Sequence, residues 1–248
     1  MTRLSHDNHD EEGDEPESSR LAVTSKDSLP VLAPHELFAR LFLDYPHSVA
    51  RDVSRQERKA NEYVSLSLVY GEIAFDPFWA VLDQLKRTHL ALTKPGGIFL
   101  DIGSGSGKAV FAAALAHDFD ACYGIEILDG LCEISQKVLH DWERNIKKQY
   151  ALPYQKRRTR IHFTLGDALE EDWPTAPSAD LVFMNSTCFS ASLLRELTRK
   201  LASYCKSGAM VITATHALPD TQSFEELRSL TVEQEAWGNA TWYLHRRK

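Results

Sequence analysis

A glycine-rich segment, residues 99–108, constrains most strongly what this chain can fold into. It reads Phe99-Leu100-Asp101-Ile102-Gly103-Ser104-Gly105-Ser106-Gly107-Lys108. An apolar run that ends in closely spaced glycines predicts a strand, a tight turn and a helix, because a backbone that bends sharply towards a ligand has no room for Cβ atoms. A second apolar run ends at Glu126 one helix later. This order predicts a nucleotide-type ligand at the carboxyl end of a parallel sheet.

The spacing of the glycines indicates which nucleotide fits. A dinucleotide site has the pattern G-x-G-x-x-G, and its pyrophosphate sits on the helix N-terminus. Here Gly103, Gly105 and Gly107 form G-x-G-x-G, and Asp101 just before them would repel a phosphate. The segment therefore favours a cationic ligand that carries an ammonium group, such as S-adenosylmethionine, with Glu126 accepting both ribose hydroxyls. A nicotinamide cofactor and an ordinary tight turn stay open as alternatives.

Charge is unevenly distributed along the chain. The formal net charge is -7, and residues 1–20 hold seven acids against two arginines. Such a segment has almost no apolar residues to offset its ordering entropy, so residues 1–30 are predicted to be a disordered acidic tail. The opposite charge collects in residues 144–160, where seven cations occur with no acid. This stretch from Arg144 to Arg160 predicts contacts with DNA phosphates, or simply a solvated helix end and loop.

Cysteine usage and hydropathy argue against several classes of protein. The four cysteines form no C-x-x-C pair, so we expect reduced intracellular thiols rather than zinc ligands. The histidines have no metal-ligand spacing, and we expect no metal site. No apolar run is long enough to span a membrane, and the first residues lack the apolar core of a secretion signal. No membrane partner is therefore expected.

The order of apolar patterns predicts an α/β fold. Helices are predicted over residues 34–45, 51–62, 76–92, 106–117, 128–148 and 191–206, and strands over residues 98–101, 121–126, 161–165, 181–184, 209–215, 230–235 and 240–245. This alternation predicts a Rossmann-like, seven-stranded sheet with helices on both faces and an antiparallel final pair of strands. The predicted divisions are the tail (1–30), a small helical N-terminal region (31–92) and a core (93–248).

Two further strand ends carry polar side chains. Asp167 follows Gly166 after the third predicted strand, where its carboxylate is suited to the exocyclic amine of adenine or to an Asx turn. Asn185 ends the fourth strand beside the expected place of a cofactor methyl group. Its amide is suited to an incoming amine nucleophile, and a helix N-cap is the alternative. The aromatic run around Trp242 predicts, by itself, core packing in a hairpin.

Several separate segments occur in the order in which one protein family has them. They are Tyr70-Gly71-Glu72-Ile73, Leu100 to Gly107, Tyr123-Gly124-Ile125-Glu126, Gly166-Asp167, Asn185 and Trp242-Tyr243-Leu244-His245. On these segments the chain resembles the disruptor-of-telomeric-silencing family of histone lysine methyltransferases. Those enzymes lack a SET domain and methylate a lysine in the globular core of a nucleosomal histone. The glycine loop is common to class I methyltransferases, whereas the Tyr-Gly-Glu loop and the Tyr-Leu-His strand are more specific.

The resemblance implies a role for each matched segment. The loop Tyr70–Ile73 would cap the methionine end of S-adenosylmethionine, and Phe99–Lys108 would wrap its methionine and ribose. Asp101 would then meet the ammonium group, and residues 93–248 would form the catalytic core. Glu126 would bind the ribose, and Asp167 with Ala168 would bind the adenine. Asn185 and Tyr243 would line the lysine channel, and Phe189 and Trp242 are further candidate walls.

The chain departs from the family pattern at four matched positions. Ile73 stands where the family usually has a threonine, and Lys108 where it has a glutamine or a similar residue. Ala168 replaces an aromatic residue that would stack on adenine, and Ser186 replaces the second asparagine of the channel motif. The acidic tail would also oppose DNA binding. Methyl transfer is therefore better supported than the nucleosome as substrate.

Together these features predict an S-adenosylmethionine-dependent protein lysine N-methyltransferase that acts on a core-domain lysine of a nucleosomal histone in the nucleus. The expected reaction is an in-line displacement at the sulfonium methyl, achieved mainly by positioning and without a strong general base. One alternative is a class I methyltransferase that acts on a non-histone protein or a small molecule. The other is a nucleotide-binding module without catalytic activity.

Overall fold

The computed structural model describes residues 29–63, 65–89, 91–173, 178–234 and 238–248. The acidic residues of the predicted disordered tail lie outside these ranges. The helices are α1 (Pro34–Leu41), α2 (His47–Ala60), α3 (Phe75–Thr88), α4 (Lys108–Ala116), α5 (Asp129–Asp141), α6 (Lys147–Gln149), α7 (Tyr154–Arg158) and α8 (Ala191–Tyr204). The strands are β1 (Ile98–Ile102), β2 (Ala121–Glu126), β3 (Arg160–Leu165), β4 (Leu181–Met184), β5 (Met210–Ala214), β6 (Phe224–Gln234) and β7 (Gly238–Arg247).

The described strands form one sheet in the order β3-β2-β1-β4-β5-β7-β6. Strands β1 to β5 are parallel, and β7 lies antiparallel between β5 and β6. Helices connect most of the parallel strands, since a parallel pair needs a long crossover connection. The predicted seven-stranded α/β fold is confirmed, including the antiparallel final pair.

The register of the three central strands brings their carboxyl ends to one edge. Ile102, the last residue of β1, lies opposite Ile125 of β2 and Met184 of β4. Each of these three residues comes at or next to the end of its strand. The side chains that follow, Glu126 and Asn185 among them, therefore leave the sheet close to the glycine turn.

The hydrophobic core lies on both faces of β1, whose five residues are all buried, as expected for a central parallel strand. On one face Phe99 packs edge-on against Phe78 of α3, with ring centroids 6.3 Å apart. On the other face Leu100 belongs to a cluster with Leu197 and Leu201 of α8. Helices α1, α3 and α4 all contribute side chains to the cluster that contains Phe99. The N-terminal helices thus cover one face of the sheet and bring residues 65–74 to its carboxyl edge.

A side chain of α2 fixes the segment that follows β2. The two carboxylate oxygens of Glu57 accept hydrogen bonds from the backbone N–H groups of Asp129 and Gly130, each over 2.8 Å. These N–H groups lie in the first turn of α5 and have no partner within the helix, and an acidic side chain is favourable at that end. The contact therefore ties the N-terminal region to the helix that begins just after Glu126.

Helices α1 and α3 end four residues before their predicted ends, α2 begins four residues before its predicted start, and three elements differ more. The predicted helix 128–148 changes at Trp142, where a π-helical turn (Trp142–Ile146) separates α5 from α6. The short helix α7 was not predicted. Strand β6 begins at Phe224 and not at the predicted residue 230. The sequence pattern hides this start, because a bulge between Glu226 and Arg228 interrupts the alternation of apolar and polar residues.

Candidate active site

A cavity of about 390 Å³ lies at the carboxyl ends of β1, β2 and β4. We call it the strand-end cavity. The structure brings many of the predicted site residues to it, because they follow neighbouring strands of one sheet or belong to the loop packed over them. Its lining includes Tyr70, Gly103, Glu126, Asp167, Ala168 and Asn185.

The glycine turn is shaped by positions that exclude a side chain. Gly105 and Gly107 have φ angles of 54° and 89°, in the left-handed region that favours glycine. A Cβ atom at Gly105 would overlap the ring of Tyr70, and one at Gly107 would lie 2.6 Å from Cζ of Phe163. The turn is anchored to β2, since the N–H of Gly103 donates to the carbonyl of Ile125 over 2.9 Å. The turn therefore keeps its backbone close to its neighbours on two sides.

Glu126 supports the turn and borders the strand-end cavity. Its Oε2 accepts a hydrogen bond from the N–H of Gly105 over 2.7 Å, and its Oε1 accepts one from the N–H of Leu128 over 2.9 Å. Burial raises the pKa of this carboxyl group, and the two hydrogen bonds partly oppose that effect. Each carboxylate oxygen can accept more than one hydrogen bond. Glu126 can thus hold the turn and still accept from ribose hydroxyls.

Asp101 carries a buried carboxyl group with one hydrogen-bond acceptor oxygen that can bind a ligand. It is 2% exposed, and its Oδ1 has no hydrogen-bond partner among the described residues. Burial raises the pKa of Asp101 well above its ordinary value, and the charge of Glu126 raises it further. A small pocket beside Asp101 shares Tyr70, Gly103 and Asn185 with the strand-end cavity. Asp101 is therefore suited to an ammonium group, which favours the ionised carboxylate.

The loop of residues 65–74 closes over the glycine turn through a buried polar network. The Tyr70 hydroxyl donates to Oε1 of Glu72 and lies 2.9 Å from Oγ of Ser106. Ser106 Oγ also donates to Oε1 of Glu72 over 3.0 Å, and Nζ of Lys108 lies 2.5 Å from Oε2 of Glu72. Burial raises the pKa of Tyr70, so its hydroxyl stays protonated. Ile73 follows in the same loop and is buried.

Asn185 joins this loop to the end of β4. Its Nδ2 donates to the carbonyl of Gly71 over 3.2 Å, and its Oδ1 accepts from the hydroxyl of Thr187 over 3.0 Å. Although Asn185 precedes the 3₁₀ turn Ser186–Cys188, its side chain makes no capping hydrogen bond there. The contacts therefore favour a role at the strand-end cavity over the helix-cap alternative.

The adenine-binding residues of the prediction lie at the other end of the strand-end cavity. Asp167 Oδ1 accepts a hydrogen bond from the N–H of Leu169 over 2.8 Å, which is the Asx-turn geometry. Asp167 and Ala168 both line the cavity, together with Leu193 and Leu197 of α8. Sequence reasoning missed these two leucines because they fit the ordinary apolar face of a helix.

The predicted channel walls divide between the cavity and the core. Phe189 lines the strand-end cavity. Tyr243 is half-buried on β7, opposite Thr213 of β5, and it is not among the described residues that line the cavity. Trp242 is 1% exposed and packs against Phe183, with ring centroids 5.1 Å apart. The prediction of Trp242 as a wall was wrong, because its face of β7 points into the core.

The basic stretch lies at the opposite end of the strands. Arg160 begins β3, and Lys156 just before it lies 2.9 Å from Asp118, which precedes β2. Lys147 pairs with Glu143 at 2.6 Å. Arg157 donates to three backbone carbonyls of the preceding loop and helix. Four further cations of the stretch are exposed, namely Arg144, Lys148, Arg158 and Arg160, and of these Arg158 donates to the hydroxyl of Tyr154 over 2.7 Å.

Within the described ranges, no group of three or more His, Cys, Asp or Glu side chains is arranged to hold a metal ion. In the same part of the chain, no helix has the length and hydropathy needed to cross a membrane.

The sheet order, the glycine turn and the acidic strand ends define a Rossmann-like fold of the class I methyltransferase type. The family model described as "Histone methylation protein DOT1" matches residues 49–234. The chain therefore belongs to the DOT1 histone methylation protein family, and the predicted resemblance is confirmed.

Relatives and one solved structure illustrate the range of similarity. A Dictyostelium discoideum protein named "Histone-lysine N-methyltransferase, H3 lysine-79 specific" is 29% identical over 180 residues, which cover 72% of this chain and 9% of that protein. The Kluyveromyces lactis protein of the same name is 27% identical over 207 residues, with coverages of 79% and 32%. The chain thus spans a third or less of these relatives. The magnesium protoporphyrin IX methyltransferase structure from Synechocystis has a TM-score of 0.48, 14% identity, and coverages of 86% and 91%.

Proposed function

We propose that this protein transfers a methyl group from S-adenosylmethionine to the side-chain amine of a lysine in the globular core of a nucleosomal histone. The observation that carries the proposal is the placement of Glu126 and Asn185 in the lining of the strand-end cavity, with Asp101 in the adjoining small pocket, in a chain of the DOT1 family. S-adenosylmethionine supplies an electrophilic methyl group on a sulfonium sulfur. The substrate lysine supplies the nucleophilic amine, and the side chains and backbone of this chain bind and orient the two reactants.

The residues present fit that cofactor. Asp101 offers a buried acceptor to its ammonium group, and Glu126 offers acceptors to its ribose hydroxyls. Asp167 offers a carboxylate at the far end of the cavity for the exocyclic amine of adenine. The N–H groups of Gly105 and Leu128 hold the Glu126 carboxylate, and the N–H of Leu169 holds that of Asp167. These two carboxylates therefore need little reorganisation, which lowers the cost of binding.

The lysine side chain must lose a proton before it can attack. Its ordinary pKa is about 10.4, so it arrives protonated. Phe189, Leu68 and Val69 give the strand-end cavity apolar walls, and desolvation there favours the neutral amine. Asn185 holds the loop of residues 65–74 through Gly71 and presents an amide at the strand end, where it can orient the amine. We assign no general base, and positioning supplies the main catalytic effect.

For the partner, the exposed cations Arg144, Lys148, Arg158 and Arg160 support contact with phosphates of nucleosomal DNA. These cations lie at the amino end of the strands, away from the cavity. Any phosphate they bind is therefore distant from the reacting lysine. Action on a histone implies that the protein works in the nucleus.

The test incubates the protein with methyl-labelled S-adenosylmethionine and with nucleosomes, free histones or a nuclear extract. Label on nucleosomal histone that falls as salt is raised supports the proposal, because phosphate contacts are salt-dependent. Label on other proteins but never on histones overturns the substrate and favours the first alternative. Calorimetry with S-adenosylmethionine is the companion measurement, and a failure to bind would leave only a protein without catalytic activity.

A further inference from the structure

The loop that follows β3 is held from behind by one lysine of α8. Nζ of Lys200 donates to the carbonyls of Ala168, Leu169 and Glu171 over 2.9, 2.9 and 2.6 Å. An ammonium group has three hydrogens, and it accepts nothing. These three carbonyls therefore use its full donor capacity, and one side chain fixes the loop at three points.

An aromatic side chain completes this arrangement. Nζ of Lys200 lies 4.8 Å from the centroid of the Trp173 ring, within the range of a cation–π contact. The Trp173 indole N–H donates to the carbonyl of Ala168 over 2.9 Å. Trp173 is 4% exposed and meets the ring of Tyr204 edge-on, with centroids 5.0 Å apart. The ammonium group is thus shielded from water on one side, which strengthens its hydrogen bonds.

The opposite side of the same loop faces the strand-end cavity. Asp167 and Ala168 line that cavity. The Asp167 carboxylate accepts from the N–H of Leu169, and the N–H of Glu171 donates to the Asp167 carbonyl over 2.8 Å. The turn that orients the Asp167 carboxylate is therefore the turn whose carbonyls Lys200 binds.

From this geometry we infer that Lys200 is a positioning residue that sets the selectivity of the strand-end cavity for a ligand with an exocyclic amine, such as adenine. The inference rests on the proposed function. Loss of the Lys200 ammonium leaves three carbonyls without their shared donor. The loop can then relax, and the Asp167 carboxylate loses the fixed direction that a selective hydrogen bond requires.

The test compares two probes that differ only at the base. S-adenosylhomocysteine carries the exocyclic amine, and S-inosylhomocysteine carries a carbonyl oxygen in its place. Calorimetry should give the wild-type protein about ten-fold tighter binding of the first probe. Lys200→Met should weaken binding of S-adenosylhomocysteine about ten-fold and leave binding of S-inosylhomocysteine nearly unchanged, so that the preference disappears. A general loss of structure would weaken the binding of both probes to the same extent.

Matched variants keep the result decisive. Arg199→Met removes the neighbouring, exposed cation of α8 and should retain the wild-type preference. Lys200→Gln keeps a shorter neutral donor and should show a partial loss, and it decides the matter if Lys200→Met does not fold. A wild-type preference in the folded Lys200 variants, or no preference in the wild-type protein, overturns the inference while the proposed function stands. A wild-type protein that binds neither probe overturns both.

Discussion

Glu72 and Lys108 form an ion pair that is almost wholly buried, with 2.5 Å between Oε2 and Nζ. The side chains are 1% and 7% exposed. The pair links the loop over the glycine turn to the first residue of α4. The charge of Lys108 therefore helps to hold this loop against α4.

Breaking one partner of this pair should destabilise the protein strongly. Glu72→Gln leaves the buried Lys108 ammonium without the Glu72 carboxylate, and such a change typically costs about 3–5 kcal/mol. The double variant Glu72→Gln/Lys108→Gln should recover much of that loss, because no buried charge of the pair remains. Urea denaturation of the single and double variants measures the coupling. Glu133→Gln, which removes an exposed partner of Lys137, should change stability by less than about 1 kcal/mol. Strictly additive effects of the two buried substitutions would contradict this account.

Gly105→Ala should loosen the loop over the cavity. A side chain in the left-handed region costs about 1–2 kcal/mol, and the new Cβ would also displace the Tyr70 ring. We expect lower stability and about ten-fold weaker binding of S-adenosylhomocysteine. Gly208→Ala is the control, since its φ of 85° is also positive but its Cβ would meet no atom within 4 Å. It should lose stability only. Equal affinities in the two variants would show that Tyr70 does not need to stay in place.

The residues that meet at the strand-end cavity could be predicted because the carboxyl ends of parallel strands share one edge. Glu126 and Asn185 each mark such an end, Asp101 lies one residue before the end of β1 beside the adjoining pocket, and a polar residue after an apolar run is readable in the sequence. The central strands and the turn before β1 could likewise be predicted from the sequence pattern alone.

The remaining features depend on contacts between distant segments. Trp242 and Tyr243 are neighbours on β7 and point to opposite faces, and only the insertion of β7 between β5 and β6 decides which face meets the core. The basic stretch has no acid within it, yet Asp118 and Glu143 pair with two of its lysines from outside. The hydrogen bonds from Lys200 to the loop after β3 form only because the fold packs α8 against that loop.

Binding of S-adenosylhomocysteine should release protons in mildly acidic solution. Burial first, and then the charge of Glu126, raises the pKa of Asp101 well above its ordinary 3.8. The folded, ligand-free protein therefore keeps this proton at pH values where the unfolded chain has lost it, and its stability falls as pH rises through that range. An ammonium group favours the ionised carboxylate, so affinity should rise with pH.

Calorimetry over a series of pH values, each in two buffers of different ionisation enthalpy, measures this release. Asp101→Asn should reduce both the release and the affinity, while the ligand-free variant should lose part of the fall in stability with pH. Glu126 contributes a residual release, because burial raises its pKa too. If the wild-type protein takes up protons on binding instead of releasing them, Asp101 is excluded as the partner of the ammonium group.

Glu126→Ala should weaken S-adenosylhomocysteine binding by about 1.5–3 kcal/mol, the range for hydrogen bonds to a charged group. The substitution removes acceptors for the ribose hydroxyls and also frees the N–H of Gly105. Glu126→Gln keeps one acceptor oxygen and should fall between alanine and wild type. Calorimetry measures all three proteins. Unchanged affinity in Glu126→Ala would mean that the carboxylate at the end of β2 does not bind the ribose.

Asn185→Ala should lower turnover and leave cofactor affinity nearly intact. Asn185 contacts the loop of residues 65–74 through Gly71 and follows β4, which β1 and β2 separate from the β3 end that carries the adenine-binding residues. Its amide can therefore act on the amine rather than on the nucleoside. We expect at least a ten-fold lower single-turnover rate on nucleosomes, about 1.4 kcal/mol of lost transition-state stabilisation. Thr187→Ala removes the hydroxyl that donates to Asn185 Oδ1, and it should give a smaller loss of the same kind. Rapid-quench methylation assays and calorimetry separate the two effects. An unchanged rate in Asn185→Ala, with affinity also unchanged, would limit Asn185 to holding the loop.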